Sequence, residues 1–86
     1  MLNRMILVRA QLDSEAGVWV ATSEDVPGLV TEADTIEELR EKILVMIPEL
    51  LAANAIDFDL DVIPVHILSE QTARIRNPRP SVAAAH

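Results

Sequence analysis

Asp57, Asp59 and Asp61 stand at the one-three-five spacing of a calcium-binding loop, an arrangement that residue types and spacing alone would credit with chemistry. Calcium loops need glycine at the sixth position for their sharp turn and a bidentate glutamate at the twelfth. Val62 and Leu68 occupy those places, so the aspartates are read as the wet side of an alternating strand. A second set, Asp13, Glu15, Glu24 and Asp25, would hold magnesium for phosphodiester hydrolysis if loops at one end of a sheet brought the four together. Nuclease carboxylates sit on strands with rigid support, however, and these fall in expected loops. Nucleophilic catalysis lacks its parts. There is no cysteine, and a triad needs a base that is itself oriented by an acid. His66, the histidine away from the C-terminus, lies in an apolar segment and reads as structural, with a pH-sensitive contact as the alternative. No catalytic residue, metal or cofactor is therefore expected.

Charge has two readings, a solvated surface that keeps the chain soluble or a surface for basic partners. The net charge is −7, but Met1–Ala73 holds all 14 acids against 4 of the 7 bases, a net of −10, while Arg74, Arg76 and Arg79 follow with no acid. An acidic body repels nucleic-acid phosphates and attracts basic partners. The apolar run at Met1–Ala10 is too short, and too interrupted by Arg4 and Arg9, for a signal peptide or a membrane span. The expectation is a cytoplasmic protein of one small domain, without membrane association. Eighty-six residues bury only about 60% of their extended-chain surface, so assembly would add to a modest core.

The elements that must position any site follow from periodicity. Met5–Leu12 reads as a strand with Ile6, Val8, Ala10 and Leu12 on one face, turning through Asp13–Gly17 into a second strand at Val18–Thr22. Val26-Pro27-Gly28-Leu29 fits a type II turn, Pro27 pre-setting its φ and Gly28 accepting φ > 0, and leads into a third strand ending at Ala33. At Thr35 the period changes. Thr35-Ile-Glu-Glu38 fits a capping box, and Ile36, Leu39, Ile43, Met46, Ile47 and Leu50 then form one helical stripe. A kink is expected near Pro48, and a close at Asn54-Ala55. Ile56–Val62 alternates as a fourth strand, and from Ile63 both sides become apolar. The fold class is therefore α+β: an antiparallel three-stranded meander, one long helix packed on it, and a fourth strand that extends the sheet or reaches a neighbour. Residues 1–68 form the domain; 69–86 are expected to be a disordered basic tail.

This order of elements, with Trp19, Asp25, Pro27, Gly28, Asp34, Thr35, Glu37 and Glu38, resembles the HicB-like antitoxin fold, in which an aromatic strand precedes a D-x-P-G turn, a short strand and a D-T-x-E-E helix start. Val18–Ser23, Val26–Leu29, Glu32–Thr35 and Ile47–Leu51 are similar, in the same order, to the domain of unknown function 1902 family within that fold. The resemblance covers roughly Met5–Leu68. It implies a non-catalytic module that binds and masks a small basic ribonuclease toxin of the HicA type. The family's antitoxins usually append a DNA-binding domain, for which the stretch after Leu68 is too short and too proline-broken, so direct operator binding by this chain is not expected. A stand-alone oligomeric regulatory or ligand-binding protein and a metal-dependent nuclease are the alternatives from other classes.

Three residue groups follow as candidates. Pro27, Gly28, Thr35 and Glu38 are the structural turn and cap. Trp19, Glu24, Asp25, Glu32, Glu37 and Glu41 are the candidate partner-binding set. With Val18 and Val20 toward the helix, Trp19 lies on the uncovered side of the sheet, where tryptophan is enriched as an anchor; in the opposite phase it joins the core. Ile63, Val65 and Ile67 form the second apolar side of the last strand, and a symmetric partner is expected to cover them in a dimer or higher oligomer.

Overall fold

The computed structural model describes residues 5–79. The chain runs β1 (Ile6–Asp13), β2 (Val18–Thr22), β3 (Val30–Ala33), α1 (Ile36–Ala53) and β4 (Val65–Glu70). The strands form one mixed sheet in the order β3-β2-β1-β4. β1–β2 and β2–β3 are antiparallel, and β4 lies parallel to β1, with Ile6 opposite Val65 and Val8 opposite Ile67. The fourth strand thus extends the chain's own sheet.

One face of the sheet carries the core. Ile6, Val8 and Ala10 of β1, Ala21 of β2 and Ala33 of β3 are buried against Leu39, Ile43, Ile47 and Leu51 of α1. The helical residues recur at the three- and four-residue spacing that makes an apolar stripe. Thr35 caps the helix start, its Oγ1 accepting from the Glu38 N–H at 3.1 Å. Glu38 makes no return bond to the cap among the described residues, so one half of the expected capping box is formed. The helix continues through Pro48, and a lost bond to the Leu44 carbonyl is tolerated because Ile47, Leu50 and Leu51 keep their apolar contacts on both sides of the proline.

The helix ends in a Schellman motif. The Ile56 N–H donates to the Leu51 carbonyl at 3.0 Å and the Ala55 N–H to the Ala52 carbonyl at 3.3 Å, with Ala55 at φ 52°. Glycine normally takes this left-handed position because a Cβ is disfavoured there. Ala55→Gly should therefore stabilise the protein by about 0.5–1 kcal/mol, read as a higher urea midpoint at unchanged slope.

Residues 54–64 correct the reading of Ile56–Val62 as a strand. The segment is irregular, and β4 begins only at Val65. Alternation alone makes no strand without an edge to pair with. The helix ends beside the Pro-Gly turn, where the Asn54 Nδ2 donates to the Pro27 carbonyl at 3.3 Å. The only edge that β4 joins is that of β1, so the link must first cross the end of the sheet. Ile56, Phe58 and Ile63 pack against the core on the way. β4 then runs two residues past Leu68, the expected domain boundary, and Gln71–Arg79 continue exposed and without regular structure. The part of the expected disordered tail from Pro80 onward lies outside the described residues.

Candidate functional site

The helix covers one face of the sheet, and among the described residues no layer lies over the opposite face. The registers place Leu7, Arg9 and Gln11 of β1, Val18, Val20 and Thr22 of β2, Val30 and Glu32 of β3, and His66, Leu68 and Glu70 of β4 on that open face. Val30 is 68% exposed and Leu68 40%, while Arg9 and Glu70 pair across the β1–β4 seam at 3.0 Å. Apolar side chains interrupted by polar ones, beside acidic loops, make a surface suited to macromolecular contact.

Trp19 is not on it. The indole stands opposite Leu12 and Ala33, on the same side as the buried Ala21, and is half-buried against the core. The phase is set by β1. With Ile6, Val8 and Ala10 under the helix, antiparallel pairing carries Ala21 and Trp19 to that side and leaves Val18 and Val20 open. The placement of Trp19 on the uncovered side is thereby corrected.

Asp25 has a structural duty. β2 pairs with β1 only from Arg9 onward, so the backbone of Leu7 would face the β2 side unpaired. Side chains take over there: the Leu7 N–H donates to Asp25 Oδ2 at 2.8 Å, the Ser23 hydroxyl donates to the Leu7 carbonyl at 2.6 Å, and the Asp25 N–H donates to Ser23 Oγ at 3.1 Å. Ser23 and Asp25 thus extend the β1–β2 ladder by one residue pair. The sequence signal for this was an Asp two residues after a Ser at a strand end, the spacing of local side-chain to backbone bonding.

The remaining acids do not surround one point. The Pro-Gly turn sits at the C-terminal end of α1, whereas Glu37 and Glu41 belong to its first turns, so the two places lie about 25 Å apart along the axis. Glu24 stays exposed beside the turn end. Glu32, Glu37 and Glu41 are exposed at the other end, where the Lys42 Nζ donates to the Glu32 carbonyl at 2.7 Å and ties the helix to the β3 edge. The four-carboxylate magnesium arrangement is likewise split. Asp13 accepts from the Glu15 and Ala16 N–H groups in its own turn, at the far end of β1 from Asp25, about 20 Å away. Among the described residues no group of three or more His, Cys, Asp or Glu is placed to hold a metal ion.

Ile63, Val65 and Ile67 are half-buried and pack against this chain's own core. Parallel pairing with β1 turns Val65 and Ile67 toward the helix side, beside the buried Ile6 and Val8. Ile63 and Val65 also line the wall of an apolar hollow of about 550 Å³ between the C-terminal half of α1 and the 54–64 link, with Leu44, Pro48 and Phe58 inside and Asp57 and Asp61 at the rim.

Together these features define a small α+β domain with a half-covered mixed sheet and an apolar hollow on its helical side. Residues 5–77 match the family described as Domain of unknown function (DUF1902), and the chain belongs to that family. Among solved structures, it is similar to the crystal structure of the hypothetical protein TTHA1013 from the extremely thermophilic bacterium Thermus thermophilus, with 50% identity, a TM-score of 0.67, and coverage of 86% of this chain and 100% of that one. No curated protein matches. Among the described residues no helix is long and apolar enough to cross a membrane.

Proposed function

We propose that this chain is a non-catalytic protein-interaction module of the HicB-like type, an antitoxin that binds and masks a small basic ribonuclease toxin. The observation that carries this reading is the pairing of an acidic body with an open sheet face. Val18, Val20, Val30 and Leu68 provide apolar contact there, and Glu24 and Glu32 lie at its margins. A cationic RNA-binding surface would be steered onto such a face by charge and held by the apolar centre. Trp19 and Asp25, both engaged in the fold, leave the partner-binding set; Glu24, Glu32, Glu37 and Glu41 remain in it.

Affinity capture of the chain from its native cell, followed by mass spectrometry, should recover a basic protein of similar size. Raising salt from about 0.05 to 0.5 M shortens the screening length from roughly 14 to 4 Å and should slow association with that protein several-fold. Binding indifferent to salt, or magnesium-dependent RNA cleavage by the purified chain, would overturn the reading. The apolar hollow favours a second reading, a stand-alone oligomeric regulatory or ligand-binding protein, for which capture would return this chain without a basic companion.

A further inference from the structure

After β4 the chain makes a nine-residue arm, Gln71–Arg79, exposed throughout. Two features mark it as more than a fraying end. The family match runs through residue 77, seven residues beyond β4, so the arm belongs to the domain that the family shares although it does not pack on its own body. Ile75, 89% exposed, stands between Arg74 and Arg76. In an extended chain, successive side chains alternate, so Ile75 projects as an apolar knob while the long, flexible stems of Arg74 and Arg76 on either side can fold around it and carry their charges to the edge of a pocket.

The hollow on the helical side has the complementary chemistry. Its interior is apolar, Val62 at its mouth is 84% exposed, Leu44 is 42% exposed, and Asp57 and Asp61 stand at the rim. The arm cannot fill the hollow of its own chain. Ile6 and Val65, which begin the parallel strands β1 and β4, line the hollow, whereas the arm leaves the far end of β4 beside Gln11 and Leu12. Five strand steps separate those ends, about 17 Å. Even a two-residue turn folding the arm back along β4 would bring Ile75 only opposite Leu68, three residues short of Val65.

We propose that the occupant is a second copy of this chain: the arm of each protomer docks in the hollow of the other, Ile75 entering between Leu44, Phe58 and Val62, with Arg74 and Arg76 meeting Asp57 and Asp61 at the rim. The exchange is isologous and closes as a two-fold dimer. It uses the helical side of the molecule and leaves the open sheet face free, so it stands or falls apart from the toxin reading.

Charge reversal tests it. Sedimentation equilibrium of the full chain at tens of micromolar should give twice the 9.5 kDa chain mass. Arg74→Glu/Arg76→Glu gives a chain whose arm and rim are both acidic, and Asp57→Lys/Asp61→Lys one in which both are basic. Each alone should dissociate at least tenfold more readily than wild type, with melting curves in the monomer range superimposable because all four positions are exposed. Mixed one to one, each arm finds an opposite rim, and a dimer should return. Ile75→Glu should be monomeric and should not be rescued by either partner. A monomeric wild type, reversed chains that stay dimeric, or a mixture that stays monomeric would each overturn the proposal; dimers that persist in Ile75→Glu would place the interface on another surface.

Discussion

Gly28→Val should lower stability by about 3 kcal/mol, more than any substitution in the Asp13–Gly17 hairpin loop. Gly28 sits at φ 88° as the third residue of a turn closed by the Leu29 N–H donating to the Val26 carbonyl at 3.1 Å, the geometry of a type II turn. A β-branched residue at that φ is strongly disfavoured. A Cβ at Gly28 would also touch Leu50 Cδ2 at 3.4 Å, so a branched side chain there must be accommodated against the helix. Gly17 gives the contrast. It also has positive φ, 70°, but a Cβ there meets nothing within 4 Å, so Gly17→Ala should cost only the backbone term, about 1 kcal/mol. Melts compared at one protein concentration should separate the variants, Gly28→Val falling by roughly 10–20 °C. Equal melting temperatures for Gly28→Val and wild type would refute the turn's role. The turn matters because it joins distant elements: its Pro27 carbonyl receives the Asn54 amide, and Val26 and Leu29 on either side of it are buried in the core.

What the sequence made legible depended on whether the determining interactions were local. The phase of β1, the helical stripe, the Thr35 cap and the Pro27-Gly28 turn rest on neighbours within a few residues, and all four stand in the structure. The phase of β2 does not. Val18, Trp19, Val20 and Ala21 are apolar on both sides of the strand, so only pairing with β1 decides which side is buried, and that pairing put the small Ala21 under the helix with Trp19 at the margin. The same limit explains the fourth strand. Ile56–Val62 alternates and the stretch from Ile63 does not, yet the strand forms at Val65–Glu70, a choice made by where the helix ends relative to the free edge of β1. The spread of the acidic residues was hidden for a related reason: Glu24 and Glu37 are 13 positions apart in the chain, but the helix axis runs back along β3 and puts its first turn at the opposite end of the molecule from the Pro-Gly turn. The hollow was invisible because its walls come from β1, α1, the 54–64 link and β4, which the chain order does not place together.

Asp25→Ala should destabilise by about 1–3 kcal/mol, whereas Glu24→Gln, one residue away, should stay within about 0.5 kcal/mol of wild type. The alanine variant leaves the half-buried Leu7 N–H without its acceptor, and the penalty is the desolvation of that group rather than the worth of one surface bond. Ser23→Ala removes the hydroxyl that serves the Leu7 carbonyl and the Asp25 N–H together, so its effect should overlap that of Asp25→Ala. The double variant should then cost less than the two singles added, by about 0.5 kcal/mol or more. Chemical denaturation of the four proteins measures this directly. Additive losses would mean that the two side chains hold Leu7 independently, and an unchanged midpoint in Asp25→Ala would return its carboxylate to the partner-binding set. The distinction governs how binding data are read: a weakened partner complex in an Asp25 variant reports a loosened β1–β2 seam beneath Leu7 on the open face, while the same loss in Glu24→Gln, with stability intact, reports a carboxylate that touches the partner.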